Sequence, residues 1–158
     1  MTAPVRTDAP LGTSGPARPA SWQVQAEVQD FYARQMRLLD EGRAEEWAET
    51  FTEDGVFAQN VKPEPWRGRA EIAARMRVGL DRLAARPVTR RHWLGMLIVD
   101  EGEEPGTWRC RFYALVFEVP DGGDPRPHLS APGEDLLVRG EDGRLRIRHR
   151  LVEHDGAV

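Results

Sequence analysis

The chain is 158 residues long, a length suited to one domain, and its 22 Lys and Arg against 26 Asp and Glu leave a formal net charge of −4. That mildly acidic balance offers no general attraction for nucleic acid, and no apolar run approaches the roughly 20 residues a spanning helix needs. Cys110 is the single cysteine, which excludes an intramolecular disulfide and a cysteine-rich zinc site. No apolar stretch with a cleavage-like site opens the chain, so a soluble, cytoplasmic protein is expected.

Residues 1–20 hold Pro4, Pro10, Pro16 and Pro19 with Gly12 and Gly15 between them. So little apolar surface cannot offset the entropy of ordering, and a disordered tail is expected there. Ser21 is a candidate helix N-cap. From it Val24, Val28, Phe31, Gln35, Leu38 and Leu39 recur at helical spacing, and Gly42 is placed to stop the helix. A short second helix over 44–51 sets Trp47 and Phe51 one turn apart. A short strand is expected over 55–60, then a third helix over 69–85 with Ile72, Met76, Leu80 and Leu83 on one face, ended by Pro87.

After Pro87 the period becomes that of a strand. Residues 90–100 (RRHWLGMLIVD) and 107–119 (TWRCRFYALVFEV) are long strands separated by a turn. Residues 120–133, rich in Pro and Gly, read as a long loop: a lid, an interface segment or plain mobility. Strands over 134–140 and 144–153 pair across Glu141-Asp142-Gly143, where Asp-Gly is a strong hairpin signal. This order predicts one α+β domain over 21–155, with helices packed on one face of a curved sheet.

A long helix ending in Asp40-Glu41-Gly42, then FTEDGVF (51–57) and WRGRAEI (66–72), resembles the opening of the cone-shaped α+β superfamily named for nuclear transport factor two. Within it the chain is most similar to the SnoaL-like group, which includes polyketide cyclases and relatives of scytalone dehydratase. The likeness spans roughly residues 22–153. It implies a curved antiparallel or mixed sheet wrapped around a pocket, three helices in the N-terminal half, a homodimer and no cofactor. The scaffold hosts isomerases, dehydratases, cyclases, dioxygenase small subunits and proteins without catalysis, so the reaction must come from the pocket residues.

Two narrower resemblances locate candidates. The histidine of scytalone dehydratase lies at a strand start that here reads His92-Trp93-Leu94-Gly95, and the aspartate ending its first helix corresponds to Asp40. Its two tyrosine positions fall on Leu39 and near Gln59. Alignment on ketosteroid isomerase puts Gln59 at the general base and Gln35 at the helix tyrosine, leaving only the protonated aspartate, as Asp135. Ketosteroid-type isomerisation is therefore rejected.

His92 and Asp40 are the leading catalytic pair. A carboxylate bound to one imidazole nitrogen fixes the tautomer and leaves the other nitrogen to move a proton, which suits enolisation, ring closure or loss of water. The plainer alternative makes His92 a satisfied strand-end histidine and Asp40 part of a helix C-terminal turn. Asp135 either stabilises an enolate oxygen or pairs with Arg150 across the hairpin, and for Arg150 the pairing is favoured. Alternation sends Leu145, Ile147, His149 and Leu151 inward, whereas the family alignment turns Arg148 and Arg150 inward; the alignment is preferred. Tyr32, Phe57, Trp66 and Tyr113 are candidate aromatic walls for a planar polycyclic substrate, with Gln59, Arg111, Arg148 and Arg150 as polar contacts.

His128 falls in the Pro-rich loop and is expected to be solvated, and Cys110, mid-strand, to be buried and inert. No His-x-His or His-Glu-x-x-His spacing, phosphate loop or nucleophile motif occurs, so no metal is expected. The expected function is a cofactor-independent cyclase or dehydratase acting on an aromatic polyketide-type intermediate. The alternatives are a non-catalytic protein that shelters such an intermediate, or a structural subunit like those of ring-hydroxylating dioxygenases.

Overall fold

The structure, a computed structural model, describes residues 15–157. Its elements run α1 (Trp22–Asp40), α2 (Ala44–Ala48), β1 (Phe51–Gln59), β2 (Trp66–Arg67), α3 (Arg69–Ala84), β3 (Val88–Glu101), β4 (Thr107–Pro120), β5 (Arg126–Arg139) and β6 (Leu145–Val152). The strands form one open, mixed sheet in the order β2-β1-β6-β5-β4-β3. Only β1 and β6 run parallel; the other neighbours are antiparallel. This is the α+β class with the curved mixed sheet expected from the sequence. No helix among the described residues is long and apolar enough to cross a membrane.

Local chemistry sets the ends of α1. The Ser21 hydroxyl accepts the Val24 amide, occupying one of the donors a helix start leaves free. At the other end Gly42 takes a positive φ of 74°, which only glycine adopts without strain, and Arg43 closes the turn on the Leu38 carbonyl. The core fills the space between the helices and the inner face of the sheet, with Val28, Trp47, Phe51, Ile72, Leu137 and Ile147 among its fully buried side chains.

Four expectations need correction. The expected tail over 1–20 lies outside the described residues up to position 14. From Arg18, however, the chain is fixed to the end of β3, since the Glu101 amide bonds the Arg18 carbonyl and the Ala20 amide that of Val99. The second helix stops at Ala48, and β1 begins at Phe51, four residues before the expected strand. The long loop over 120–133 shrinks to a turn, because Arg126–Gly133 continues β5 along β4. Pro132 fits there because its nitrogen shares the side of its carbonyl, which faces Glu153 rather than β4.

The fourth concerns β6. Its ladder with β5 pairs Leu137 with Ile147 and Leu136 with His149, so Arg148 is an extra residue, a β-bulge. One inserted residue reverses the inward–outward alternation. Leu145 and Ile147 therefore point inward before the bulge, Arg150 and Val152 after it. Arg148 itself is turned away from the core to pair with Glu104 at 3.5 Å.

Candidate active site between α1 and β3

β3 is the edge of the sheet, so along one side its amides have no strand partner. The last turns of α1 lie beside that edge, and a cavity of about 700 Å³ opens between them. From α1 it is lined by Gln29, Tyr32, Ala33, Met36, Arg37 and Asp40, a stripe at helical spacing; from the sheet come residues 91–97 and Phe112.

Asp40, the last residue of α1, reaches the edge of β3. Its Oδ1 lies 2.7 Å from His92 Nδ1 and accepts the His92 backbone amide at 3.2 Å, with Oδ2 3.4 Å from that amide. A carboxylate only accepts, so Nδ1 carries the hydrogen, and in the neutral ring Nε2 holds the lone pair. Among the described residues no side chain holds Nε2. Both side chains are half-buried, which shields the pair while keeping the ring in contact with the cavity.

Asp135 lies elsewhere. It pairs with Arg150 across β5 and β6 and has no exposed surface. Arg150 donates to its Oδ1 at 2.8 Å and its Oδ2 at 2.7 Å, and the Tyr32 hydroxyl donates to Oδ2 at 2.7 Å. Arg150 also donates to Gln35 Oε1 at 2.9 Å, and Gln35 donates to the Thr50 hydroxyl at 2.6 Å. Phe51, Phe112 and Tyr32 ring the guanidinium at 5.6–5.9 Å. Burial lowers the tendency of Arg150 to stay charged, but the adjacent Asp135 carboxylate more than compensates and raises its pKa. Burial, reinforced by the Asp135 charge, pushes the Tyr32 phenol well above its ordinary value. The arrangement is a core network that holds Asp135 by three hydrogen bonds, with no exposed surface and away from the lining of the cavity.

The other candidates disperse. Phe57 and Trp66 pack edge to face at 5.3 Å and join Trp47 and Phe51 in a separate aromatic cluster. Gln59 sits 3.2 Å from His154 Nε2 at the far end of β1. Arg111 and Tyr113 lie on the outer face of the sheet, Arg111 paired with Asp100 at 3.3 Å. Arg148 pairs with Glu104, as described above. Cys110 is fully buried, and burial pushes its thiol far up.

Of the expected site residues, the cavity thus gathers Asp40, His92 and Tyr32. It adds Arg37, Arg91, Trp93 and Met96, which sequence pattern did not select. The edge position of β3 is the reason: a groove along an edge strand touches residues on both of its faces. No group of three or more His, Cys, Asp or Glu among the described residues is arranged to hold a metal ion.

Residues 21–151 match the family described as the SnoaL-like domain. A protein of Catenulispora acidiphila, solved in complex with S-DNPA, is 40% identical over 85% of this chain and 96% of its own, with a TM-score of 0.74. ActVI-ORFA of Streptomyces coelicolor is 34% identical over 87% of this chain and 99% of its own, with a TM-score of 0.80. Aln2, from another Streptomyces species, is 30% identical over 87% of this chain and 95% of its own, with a TM-score of 0.79. No curated protein matches.

Proposed function

The chain belongs to the SnoaL-like family, and from that membership we propose that it is a cofactor-independent enzyme moving a proton on an oxygenated aromatic polyketide-type intermediate. The observation that carries this reading is the 2.7 Å contact between His92 Nδ1 and Asp40 at the wall of the α1–β3 cavity.

Neutral His92 has the correct form to act as a base. Its Nε2 takes a proton from carbon beside a carbonyl, and the C–H electron pair passes to the carbonyl oxygen as an enolate. The Asp40 carboxylate stabilises the imidazolium that results. The same Nε2–H then returns its proton, either to a departing hydroxyl, which leaves as water, or to the oxygen of a newly closed ring. Such proton transfer contributes about 10²–10⁴-fold. Asp135 and Arg150 take no part, because their charges are spent on each other.

That assignment also supports a second reading, in which the cavity holds and shelters an intermediate without changing it. With Asp135 and the Tyr32 hydroxyl locked in the core, the cavity has one proton-carrying pair and lacks the oxyanion donor expected from Asp135. Incubating the protein and a His92→Gln variant with polyketide intermediates extracted from its host, followed by mass spectrometry, separates the two. Conversion by the parent but not the variant supports the enzyme. Binding without conversion by either supports the shelter.

A homodimer joined through the outer face of the sheet belongs to the same proposal. Ile98 and Tyr113 are exposed there beside Leu151, an apolar surface suited to a second copy. Light scattering should report twice the monomer mass, and Ile98→Glu should halve it.

A further inference from the structure

We propose that the cluster of guanidiniums around Glu118 is a binding site for a phosphate monoester, held by Arg86 and Arg126. The site lies outside the lining of the α1–β3 cavity, and the proposal does not rest on the reaction assigned there.

Glu118 stands near the end of β4, directly opposite Arg90 of β3 and Arg126 of β5, so the three side chains share one face of the sheet. Arg86, in the connection between α3 and β3, reaches the same carboxylate. A bulge brings in a fourth group. Val116 pairs with Leu129 and Phe117 with Pro127, which leaves His128 as the extra residue of β5. Its Nε2 lies 3.0 Å from Arg90 Nη2, and because arginine only donates, Nε2 accepts and the ring is neutral.

Three guanidiniums and one carboxylate meet here, an excess of two positive charges. No second carboxylate pairs with these arginines among the described residues. The needs of Glu118 do not explain so many. Its side chain is 4% exposed and requires a counter-charge, but Arg90 supplies that alone, with Nε 3.0 Å and Nη2 2.8 Å from Oε1. Arg86 adds one bond from Nη1 at 3.1 Å, and Arg126 Nη2 stays 3.7 Å from Oε2, too far for a hydrogen bond. Both side chains are open to solvent, 48% and 60% exposed, so the rest of their N–H forks is unspent.

Like charges gathered this closely repel, in a chain whose net charge is −4. A ligand with two negative charges relieves that repulsion. A phosphate monoester is such a ligand near neutral pH, and its oxygens suit N–H forks approaching from two sides. Arg90 and the buried Glu118 form the floor that fixes where those forks stand.

The test titrates phenyl phosphate, a dianion, and its monoanionic methyl ester into the protein by calorimetry at low and high salt. The parent should bind the dianion about tenfold more tightly or better, with the gap narrowing as salt rises. Arg86→Gln and Arg126→Gln should each lose about tenfold in affinity for the dianion, the double variant should lose the preference, and Arg126→Lys should restore part of it. Both positions are exposed, so the variants should keep the parent's melting temperature, measured alongside. His92→Gln should bind phenyl phosphate like the parent. A free ester and a phosphate carried on a protein share this chemistry. A phosphoserine peptide is therefore the second probe, and whichever of the two binds more tightly identifies the source. Equal affinity for phenyl phosphate and its methyl ester, no binding of either phosphate monoester, full affinity in the double glutamine variant, or loss of binding in His92→Gln would overturn the proposal.

Discussion

His92 gives two hydrogens to one carboxylate: its ring Nδ1 lies 2.7 Å and its backbone nitrogen 3.2 Å from Asp40 Oδ1. The residues belong to different elements, so the double contact does two things. It ties the end of α1 to the free edge of β3, and it fixes which imidazole nitrogen is left for another partner.

Asp40→Asn keeps an oxygen that can accept a hydrogen bond but removes the charge that stabilises the imidazolium. Turnover should fall by about 10²–10⁴-fold. A variant with undiminished turnover would remove Asp40 from the reaction.

The core network is costly to break from one side. Arg150→Met leaves the Asp135 carboxylate buried without its counter-charge, and unfolding by urea should show a loss of roughly 3–5 kcal/mol. Asp135→Leu with Arg150→Met replaces both charges by apolar groups and should recover much of that loss. If the double variant is no better than the single one, the pair is not the unit of stability it is taken to be.

Acid stability should depend on Glu118. Arg90, bonded to it at 2.8 Å, holds its carboxyl at about 2, and Arg86 adds to the effect. The folded value lies below the ordinary 4.5, so the stabilisation is present above that pH and is lost as pH falls from 4.5 toward about 2. Burial, then Arg90, lowers the pKa of neighbouring His128, so the comparison is made in a His128→Asn background. There the advantage of the parent over Glu118→Gln in melting temperature should shrink across that window. A constant difference down to pH 2 would contradict the assignment.

Much of this architecture is legible in the sequence. Ser21, Gly42 and the apolar spacing between them delimit α1, and Asp142-Gly143 marks the last hairpin because that turn needs a residue tolerant of positive φ. The Asp40 and His92 positions come from motif resemblance, and the fold puts them in contact. What escapes is register. A bulge at Arg148 reverses which arginine enters the core, and nothing in the alternation of 145–152 announces it. Pro127 and Pro132 read as loop residues because strand interiors usually exclude proline, yet β6 ends at Val152, and the residues after it only donate amides, from Glu153 and Asp155, to the carbonyls of Pro132 and Ser130. Arg91 and Trp93 look like solvent-facing residues of a strand, and they are exposed; only the edge position of β3 brings them to the rim of the cavity.

The most direct test of His92 as the proton carrier is solvent exchange. The protein is incubated in D2O with the host's polyketide intermediates, and deuterium at carbon is followed by mass spectrometry beside His92→Gln. Deuterium entering the ligand with the parent, and not with the variant at equal occupancy, is the expected result. Equal exchange in both, or none in either, would contradict proton transfer at His92.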